Sequence, residues 1–350
     1  MYSQIDVKSK IKDYSVNFVS LSEIYKLIGE DYHLAVVDKN VAHCFPEFGL
    51  GDLIVIDTNE DLKSWRGLEK IFDKFAAKKV NTQTKLVVIG GGVLQDAVGF
   101  CASVYCRGIE YYLVPTTLLS QIDSCVGGKT SINYGSRKNI LGTFYPPCEI
   151  LICEEWLDGL SKENFCSGLG ELLKFDILRN KIQESNVIDL ITENKNVLYH
   201  IHKSLNYKIS VLEIDEFDKK ERKFLNFGHT FGHALESTSN YNIPHGTAVL
   251  FGILIANKVS NFLGLLSLNK ELELFDLIYP YIKHQKIQED WFNFDDLISI
   301  IKHDKKNTGT INMALLTDED PKIVPIELEE TLQLALKNIY ASIRLCNKIS

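Results

Sequence analysis

Four short apolar runs constrain this chain most: His33-Leu34-Ala35-Val36-Val37, Asp52-Leu53-Ile54-Val55-Ile56, Lys85-Leu86-Val87-Val88-Ile89 and Tyr111-Tyr112-Leu113-Val114. Each is apolar on both faces and is bounded by Asp, Gly or Pro, which reads as a strand buried on both sides. Between the second and third, residues 62–77 carry apolar side chains at helical spacing, with lysines outside. Buried strands alternating with amphipathic helices predict an α/β domain with a parallel, Rossmann-like sheet.

In such sheets ligands bind beyond the carboxyl ends of the strands. The residues that follow the runs are Asp38 and Asn40, then Thr58-Asn59-Glu60 with Lys63, then Gly90-Gly91-Gly92, then Pro115-Thr116-Thr117. All are polar, glycine or proline. Gly90-Gly91-Gly92-Val93-Leu94-Gln95-Asp96 follows a strand and opens a helix, where N–H groups and the helix dipole suit a pyrophosphate or a tight turn. Gln95 stands where the third glycine of a dinucleotide fingerprint would fall.

From about residue 160 helical patterns follow one another: 168–178, 197–213, 224–238, 246–263 and 271–284, with Asn312-Met313-Ala314-Leu315-Leu316 as a possible late strand. The reading is two domains, 1–158 α/β and 159–350 α-helical, a division that 350 residues accommodate. A net charge of −8 with no basic stripe argues against nucleic acid but leaves small anions open. The N-terminus lacks a signal-like apolar core and no run of about 18 apolar residues could span a bilayer, so a cytoplasmic protein without membrane contact is expected. Eight cysteines without a CxxC pair fit reduced, packed thiols.

Leu225-Asn226-Phe227-Gly228-His229-Thr230-Phe231-Gly232-His233-Ala234 sets two histidines one helical turn apart, with Arg222 before them and His245 after. Such a pair also occurs as hydrogen-bonded core residues. Two glycines in the same helix, each costing about 1 kcal/mol against alanine, call for a packing or functional reason. Gly168-Leu169-Gly170-Glu171-Leu172-Leu173-Lys174 places a glutamate and a lysine in an apolar run, either a paired core charge or a ligand. Glu171, His229 and His245 would make a two-imidazole, one-carboxylate set of the kind that leaves positions open on a catalytic zinc. Spacing alone leaves their convergence open.

Gly127-Gly128-Lys129-Thr130 does not make a P-loop, because Asp123 stands where that motif needs glycine. Lys129, Lys138 and Asn139 still form a cationic cluster suited to a phosphate, a carboxylate or solvent.

Taken in order, Gly90-Gly91-Gly92-Val93-x-x-Asp96, Arg107-Gly108, residues 114–124 (Val114-Pro115-Thr116-Thr117 onward), Gly127-Gly128-Lys129-Thr130, Lys138-Asn139, Gly168-x-x-Glu171-x-x-Lys174 and Asn226-x-Gly228-His229-Thr230-x-Gly232-His233-Ala234 resemble 3-dehydroquinate synthase and the wider sugar phosphate cyclase family. The resemblance runs from about residue 33 to residue 316.

It implies an NAD-binding α/β domain, a helical domain holding a divalent metal, zinc most often and cobalt as a substitute, an active site in the cleft between them, and a homodimer. The metal ligands would be Glu171, His229 and His245. Asp38, Asn40, Glu60, Lys63, Gly91, Gly92, Asp96, Thr116, Thr117, Lys129 and Lys138 would line the cofactor site. Asp123, Lys129, Asn139, Lys174, Lys208, Arg222, Asn226, His233 and Lys306 (in preference to Lys305) would surround an anionic sugar phosphate substrate, and Arg107 would reach the neighbouring subunit's phosphate site.

The implied reaction converts 3-deoxy-D-arabino-heptulosonate 7-phosphate to 3-dehydroquinate and phosphate by oxidation, phosphate elimination, reduction and an intramolecular aldol, with NAD regenerated. The eliminated phosphate can serve as its own base, and His233 relays a proton. Lys208, Arg222 and Asn226 favour a substrate carrying a carboxylate, hence the shikimate pathway. Gln95, Asn59 and Tyr134-Gly135-Ser136-Arg137 depart from the family pattern, and they keep in view a related cyclase of secondary or polysaccharide metabolism; a metal- and NAD-dependent polyol dehydrogenase, related in fold, is the second alternative.

Overall fold

The computed structural model describes residues 2, 4–31, 34–44, 53–135, 137–180, 196–304, 310–327 and 330–349. The chain divides into two compact units, Met1–Phe165 with Glu193–Phe217, and Cys166–Thr192 with Asp218–Ser350.

The first unit is built on a seven-stranded sheet in the order β1-β2-β9-β6-β5-β3-β4. Its strands are β1 (Ile5–Val7), β2 (Tyr14–Phe18), β3 (Leu34–Asp38), β4 (Leu53–Ile56), β5 (Leu86–Gly90), β6 (Tyr111–Pro115) and β9 (Glu149–Ile152). All neighbours are parallel except β1, which runs antiparallel to β2 at the edge. The four runs singled out in the sequence are β3 to β6, with His33 and Asp52 outside the described residues.

Alternation along these strands divides the core. Ala35, Val37, Val87 and Ile89 pack on one face with Ile24 and Ile28 of α1 (Leu21–Asp31) and with Trp156. Two further helices, α3 (Trp65–Ala77) and α4 (Gly92–Val104), bury Leu68, Ile71, Phe75, Leu94, Ala97 and Val98. The short α2 (Lys39–Cys44) joins β3 to β4. A hairpin, β7 (Lys129–Tyr134) with β8 (Arg137–Phe144), forms a separate two-stranded sheet against α4.

The second unit begins within α5 (Lys162–Leu178) and holds α7 (His229–Thr238), α8 (His245–Phe262), α9 (Leu268–Ile282), α10 (Phe294–Asp304) and α11 (Glu330–Ile349). Its centre is α8, which buries nearly its whole surface from Gly246 to Ser260. A helix that is apolar all round must be covered on all sides, which explains its weak periodicity.

Three sequence expectations are revised. The second unit is not purely helical: β10 (Thr310–Leu315) and β11 (Lys322–Glu327) pair antiparallel, so the late run at 312–316 is the first strand of a hairpin. The boundary lies at Phe165 and not near 158, and α6 (Val197–Ile214) belongs with the first unit, where it packs on the turn Ser120–Ser124. The single helix expected over 224–238 is broken at Gly228 (φ +78°), which separates a 3-10 turn, Glu221–Asn226, from α7.

Candidate metal centre and nucleotide crevice

The sheet order places one crevice. From β3 the chain continues to β4 on one side, and from β5 it continues through α4 to β6 on the other, so connections diverge between β3 and β5. Ligands of parallel sheets sit at the carboxyl ends of strands at such a point. Register aligns those ends, pairing Val37 with Ile89 and Gly90 with Pro115. Asp38, closing β3, accepts a hydrogen bond from the Asn40 amide at 2.7 Å.

At the end of β5, Gly91 caps α4 in an extended conformation, with no side chain satisfying the helix N–H groups and no acidic residue in the first turn. That leaves the N–H groups and positive dipole end available for a phosphate. Gln95 does not compete: its Nε2 turns back to donate to the Gly90 carbonyl at 3.0 Å, and the residue is buried. Thr116 donates its amide to Gly90 across the strand ends, and Thr117 Oγ1 meets Ser120 Oγ at 2.8 Å to open the π turn Ser120–Ser124.

Beside the crevice one network collects most of the remaining predicted residues of this unit. Lys63, 4% exposed, sets its Nζ 2.6 Å from Asp96 Oδ2 and donates to Asn139 Oδ1. Ser131 donates to the same two acceptors at 2.9 Å each. Asn133 donates to Glu60 Oε1 at 2.7 Å and accepts from the Asn139 amide. Asn139 holds φ at +53°, a conformation that asparagine tolerates better than most residues. Burial raises the Asp96 carboxyl above its ordinary value, although Lys63 and Ser131 pull the other way. Lys138 Nζ lies 4.0 Å from Glu60 Oε1, and Lys129 opens β7 on an exposed position.

In the same unit Lys208 of α6, 6% exposed, places Nζ 2.8 Å from Asp123 Oδ1 and donates to the Asp123 carbonyl at 2.5 Å. Arg107 stands exposed on a turn where Cys106 (φ +51°) and Arg107 (φ +65°) both take left-handed backbone.

The metal-capable cluster lies in the second unit and depends on two helix crossings. At the first, α5 meets the start of α8 backbone to backbone: a Cβ on Gly246 would sit 1.8 Å from the Ser167 carbonyl oxygen, and the Gly246 amide donates to Ser167 Oγ at 3.0 Å. At the second, α7 meets α8 where Gly228 turns with positive φ against Ile253. These contacts supply the packing reason for the glycines, and they bring three elements to one point.

There Glu171 Oε1 lies 3.6 Å from His229 Nε2 and 3.7 Å from His245 Nε2. Glu171 is fully buried and Oε1 has no hydrogen-bond partner. A buried carboxylate oxygen left without a donor is costly, and two ring nitrogens facing it fit a shared divalent cation. Its other oxygen, Oε2, is 2.5 Å from Lys174 Nζ, a close charge contact. Lys174, also buried, donates to the Leu225 carbonyl at 2.9 Å and so ties the turn carrying buried Arg222 and exposed Asn226 to α5.

Both imidazoles are held by Nδ1. That of His229 is 3.2 Å from the Phe227 carbonyl oxygen, and that of His245 is 3.1 Å from Glu236 Oε2. These acceptors put the proton on Nδ1 and leave the Nε2 lone pairs for an ion. Burial, then the Lys174 cation, pushes His229 well below its ordinary value. Burial also lowers His245, but the Glu236 hydrogen bond and charge outweigh it and raise the ring overall. His233 is close too: its ring centroid is 5.2 Å from that of His229 and 5.7 Å from that of His245, and the three histidines have ligand atoms within 4.8 Å of one another.

The predicted trio Glu171, His229 and His245 is thus brought together, with His233 and Lys174 beside it. Lys305 and Lys306 lie outside the described residues. Sequence reasoning missed Ser131 and Glu236. Ser131 shares the polar face of β7 with Asn133, opposite buried Thr130 and Ile132, a period-two signal. Glu236 lies two turns after His229 on one helix face, which is the spacing signal that could have paired them.

Two family models match in succession: 3-dehydroquinate synthase N-terminal over residues 53–167 and 3-dehydroquinate synthase C-terminal over residues 168–307. A 3-dehydroquinate synthase of Dictyoglomus turgidum is 37% identical over 313 residues, 88% of this chain and 82% of that protein. One of Clostridium tetani is 37% identical over 289 residues, 81% and 76%. In fold the chain is similar to a 2-deoxy-scyllo-inosose synthase solved with carbaglucose-6-phosphate, NAD+ and Co2+ (TM-score 0.84, 23% identity, 96% of this chain and 99% of that one). A probable glycerol dehydrogenase from Sinorhizobium meliloti is more distant (TM-score 0.64, 12% identity, 94% and 97%). Two consecutive family models covering most of the chain, with relatives above 30% identity along both units, leave one conclusion: the chain belongs to the 3-dehydroquinate synthase family.

Proposed function

We propose that this protein is a 3-dehydroquinate synthase, converting 3-deoxy-D-arabino-heptulosonate 7-phosphate to 3-dehydroquinate and phosphate with NAD and a divalent metal. The observation that carries the reading is the buried, partnerless Oε1 of Glu171 facing the Nε2 atoms of His229 and His245. Relatives bearing that name at 32–37% identity support the choice of substrate.

Glu171, His229 and His245 would hold the metal, zinc by preference and cobalt as substitute. When bound, the metal acidifies substrate hydroxyls and NAD accepts and returns the hydride. The chain's own residues supply the rest. Gly91 and Gly92 at the start of α4, with Asp38, Asn40, Thr116 and Thr117 at neighbouring strand ends, bind the dinucleotide; Glu60, Lys63, Asp96 and Lys138 fix its surroundings through the shared network. Lys174, Arg222 and Asn226, with Lys129, Lys208 and Lys306, provide donors for a carboxylate and a phosphate, where charge-assisted hydrogen bonds are strongest. Asp123 holds Lys208, Asn139 holds Lys63, and both lysines are thereby oriented. His233, close to the metal ligands but outside the Glu171 contact, is assigned to proton transfer.

A homodimer in the cytoplasm, with Arg107 reaching the phosphate site of the neighbouring subunit, belongs to the same proposal and rests on the family resemblance. Among the described residues no helix is long and apolar enough to cross a membrane.

The test is a substrate panel. With NAD and metal present, phosphate release is followed from 3-deoxy-D-arabino-heptulosonate 7-phosphate, glucose 6-phosphate and sedoheptulose 7-phosphate. Turnover of the carboxylate-bearing substrate alone supports the proposal. Turnover only of a sugar phosphate without the carboxylate contradicts it and points to a related cyclase.

A further inference from the structure

We infer that Glu236 is a positioning residue for the metal centre: it holds the His245 ring with Nε2 turned toward Glu171. The inference rests on the metal-centre reading above and extends it to a residue outside the three ligands.

The two imidazoles are anchored differently. His229 is tied through Nδ1 to a neutral acceptor, the carbonyl of Phe227 two residues away. His245 is tied to a carboxylate, Glu236 Oε2 at 3.1 Å, on a different helix and nine residues earlier. An ionised carboxylate only accepts, so His245 Nδ1 carries the proton and its Nε2 lone pair is free.

His245 needs the stronger tether. It is the first residue of α8, following Pro244, so no earlier turn of its own helix packs against the ring. Its side chain is 28% exposed, against 14% for His229. Glu236 is 8% exposed and lies on α7, the helix that also carries His229 and His233. One short helix therefore supplies a ligand, the proposed proton carrier and the tether for the ligand on α8. A charged acceptor also makes the opposite ring nitrogen a better donor, and loss of such partners weakens metal sites by about 10- to 100-fold.

The test uses the full-length protein stripped of metal and titrated with Co2+ against a chromophoric chelator, with the visible absorption of the bound ion recorded. Wild type, Glu236→Gln, Glu236→Ala and His245→Ala are compared, along with the thermal melts of the metal-free proteins. Gln is isosteric with Glu, so packing is retained, but its amide can present a donor to Nδ1. The expected result is about a 10- to 100-fold loss of Co2+ affinity in Glu236→Gln, a loss at least as large in Glu236→Ala, and an altered absorption band in both. The metal-free melt of Glu236→Gln should match that of wild type, which a merely structural role would not couple to a metal defect. If both Glu236 variants bind Co2+ as tightly as wild type with the same spectrum while His245→Ala loses it, this inference alone is overturned. If wild type takes up no Co2+, or His245→Ala binds it as wild type does, the metal-centre reading falls as well.

Discussion

A single carboxylate oxygen, Glu171 Oε1, carries much of the chemistry proposed here, and its neighbours can be removed one at a time. Substituting Glu171 with alanine should abolish tight metal binding, whereas His233→Ala should retain the metal and lose turnover. Atomic absorption on the dialysed proteins distinguishes the two; metal lost from His233→Ala and kept by Glu171→Ala would favour the three-histidine set instead. Lys174 supplies the compensating charge at 2.5 Å. Breaking a buried pair by removing one partner costs about 3–5 kcal/mol. Lys174→Met should therefore lower the thermal midpoint most in chelator, with metal restoring part of the loss; equal destabilisation in both conditions would speak against a cation at this carboxylate. Glu171 and the histidine pair stood out in the sequence, as a glutamate in an apolar run and a repeated histidine, but their meeting point was implied only by the family resemblance. Glu236 and Ser131 were not, since single polar residues facing a site look like any others until the partner element is placed beside them. Gln95, a departure at the sequence level, proves to bond within its own turn.

Packing between elements fixes where those residues meet. The α5–α8 crossing leaves no room for a side chain at Gly246, whose Cβ would fall 1.8 Å from the Ser167 carbonyl oxygen. Gly246→Ala should push the helices apart, cost about 1–3 kcal/mol by overpacking and weaken metal binding, because Glu171 and His245 sit on the two helices being separated. A denaturant melt and a metal titration on this one variant check both effects; normal affinity in a destabilised protein would mean that the crossing does not set the centre. The strands β3 to β6 could be read from sequence, being apolar on both faces, although β4 proves to be the sheet edge and leaves Val55 exposed. The edge strand β1, its neighbour β2 and the hairpin β7–β8 could not, since they are short or half polar. The break at Gly228 was hidden inside a helical pattern because glycine satisfies the periodicity while leaving it. Assigning α6 to the first unit needed the contact with the Ser120–Ser124 turn, which no local signal reports.

At the scale of the whole molecule, the two-unit plan follows from a change of texture along the chain, although the sequence boundary fell seven residues early and missed the return of α6. Two of the cysteines behave as packing groups: Cys125 and Cys153 are buried, and desolvation pushes both thiols up to about 12. At about pH 8, near the ordinary thiol value, iodoacetamide should leave both unmodified in the folded protein and label them after denaturation, as mass spectrometry of the digests would report. The proposed activity is a closed redox cycle, in which oxidation and reduction take place on one substrate and the cofactor is regenerated. It is tested most directly by giving the metal-loaded protein excess 3-deoxy-D-arabino-heptulosonate 7-phosphate with NAD at a small fraction of the substrate, and following phosphate and NADH together. A cyclase that regenerates its cofactor releases many phosphates per NAD with no net NADH. Accumulation of NADH without phosphate release, as from a polyol dehydrogenase, would contradict the proposed activity.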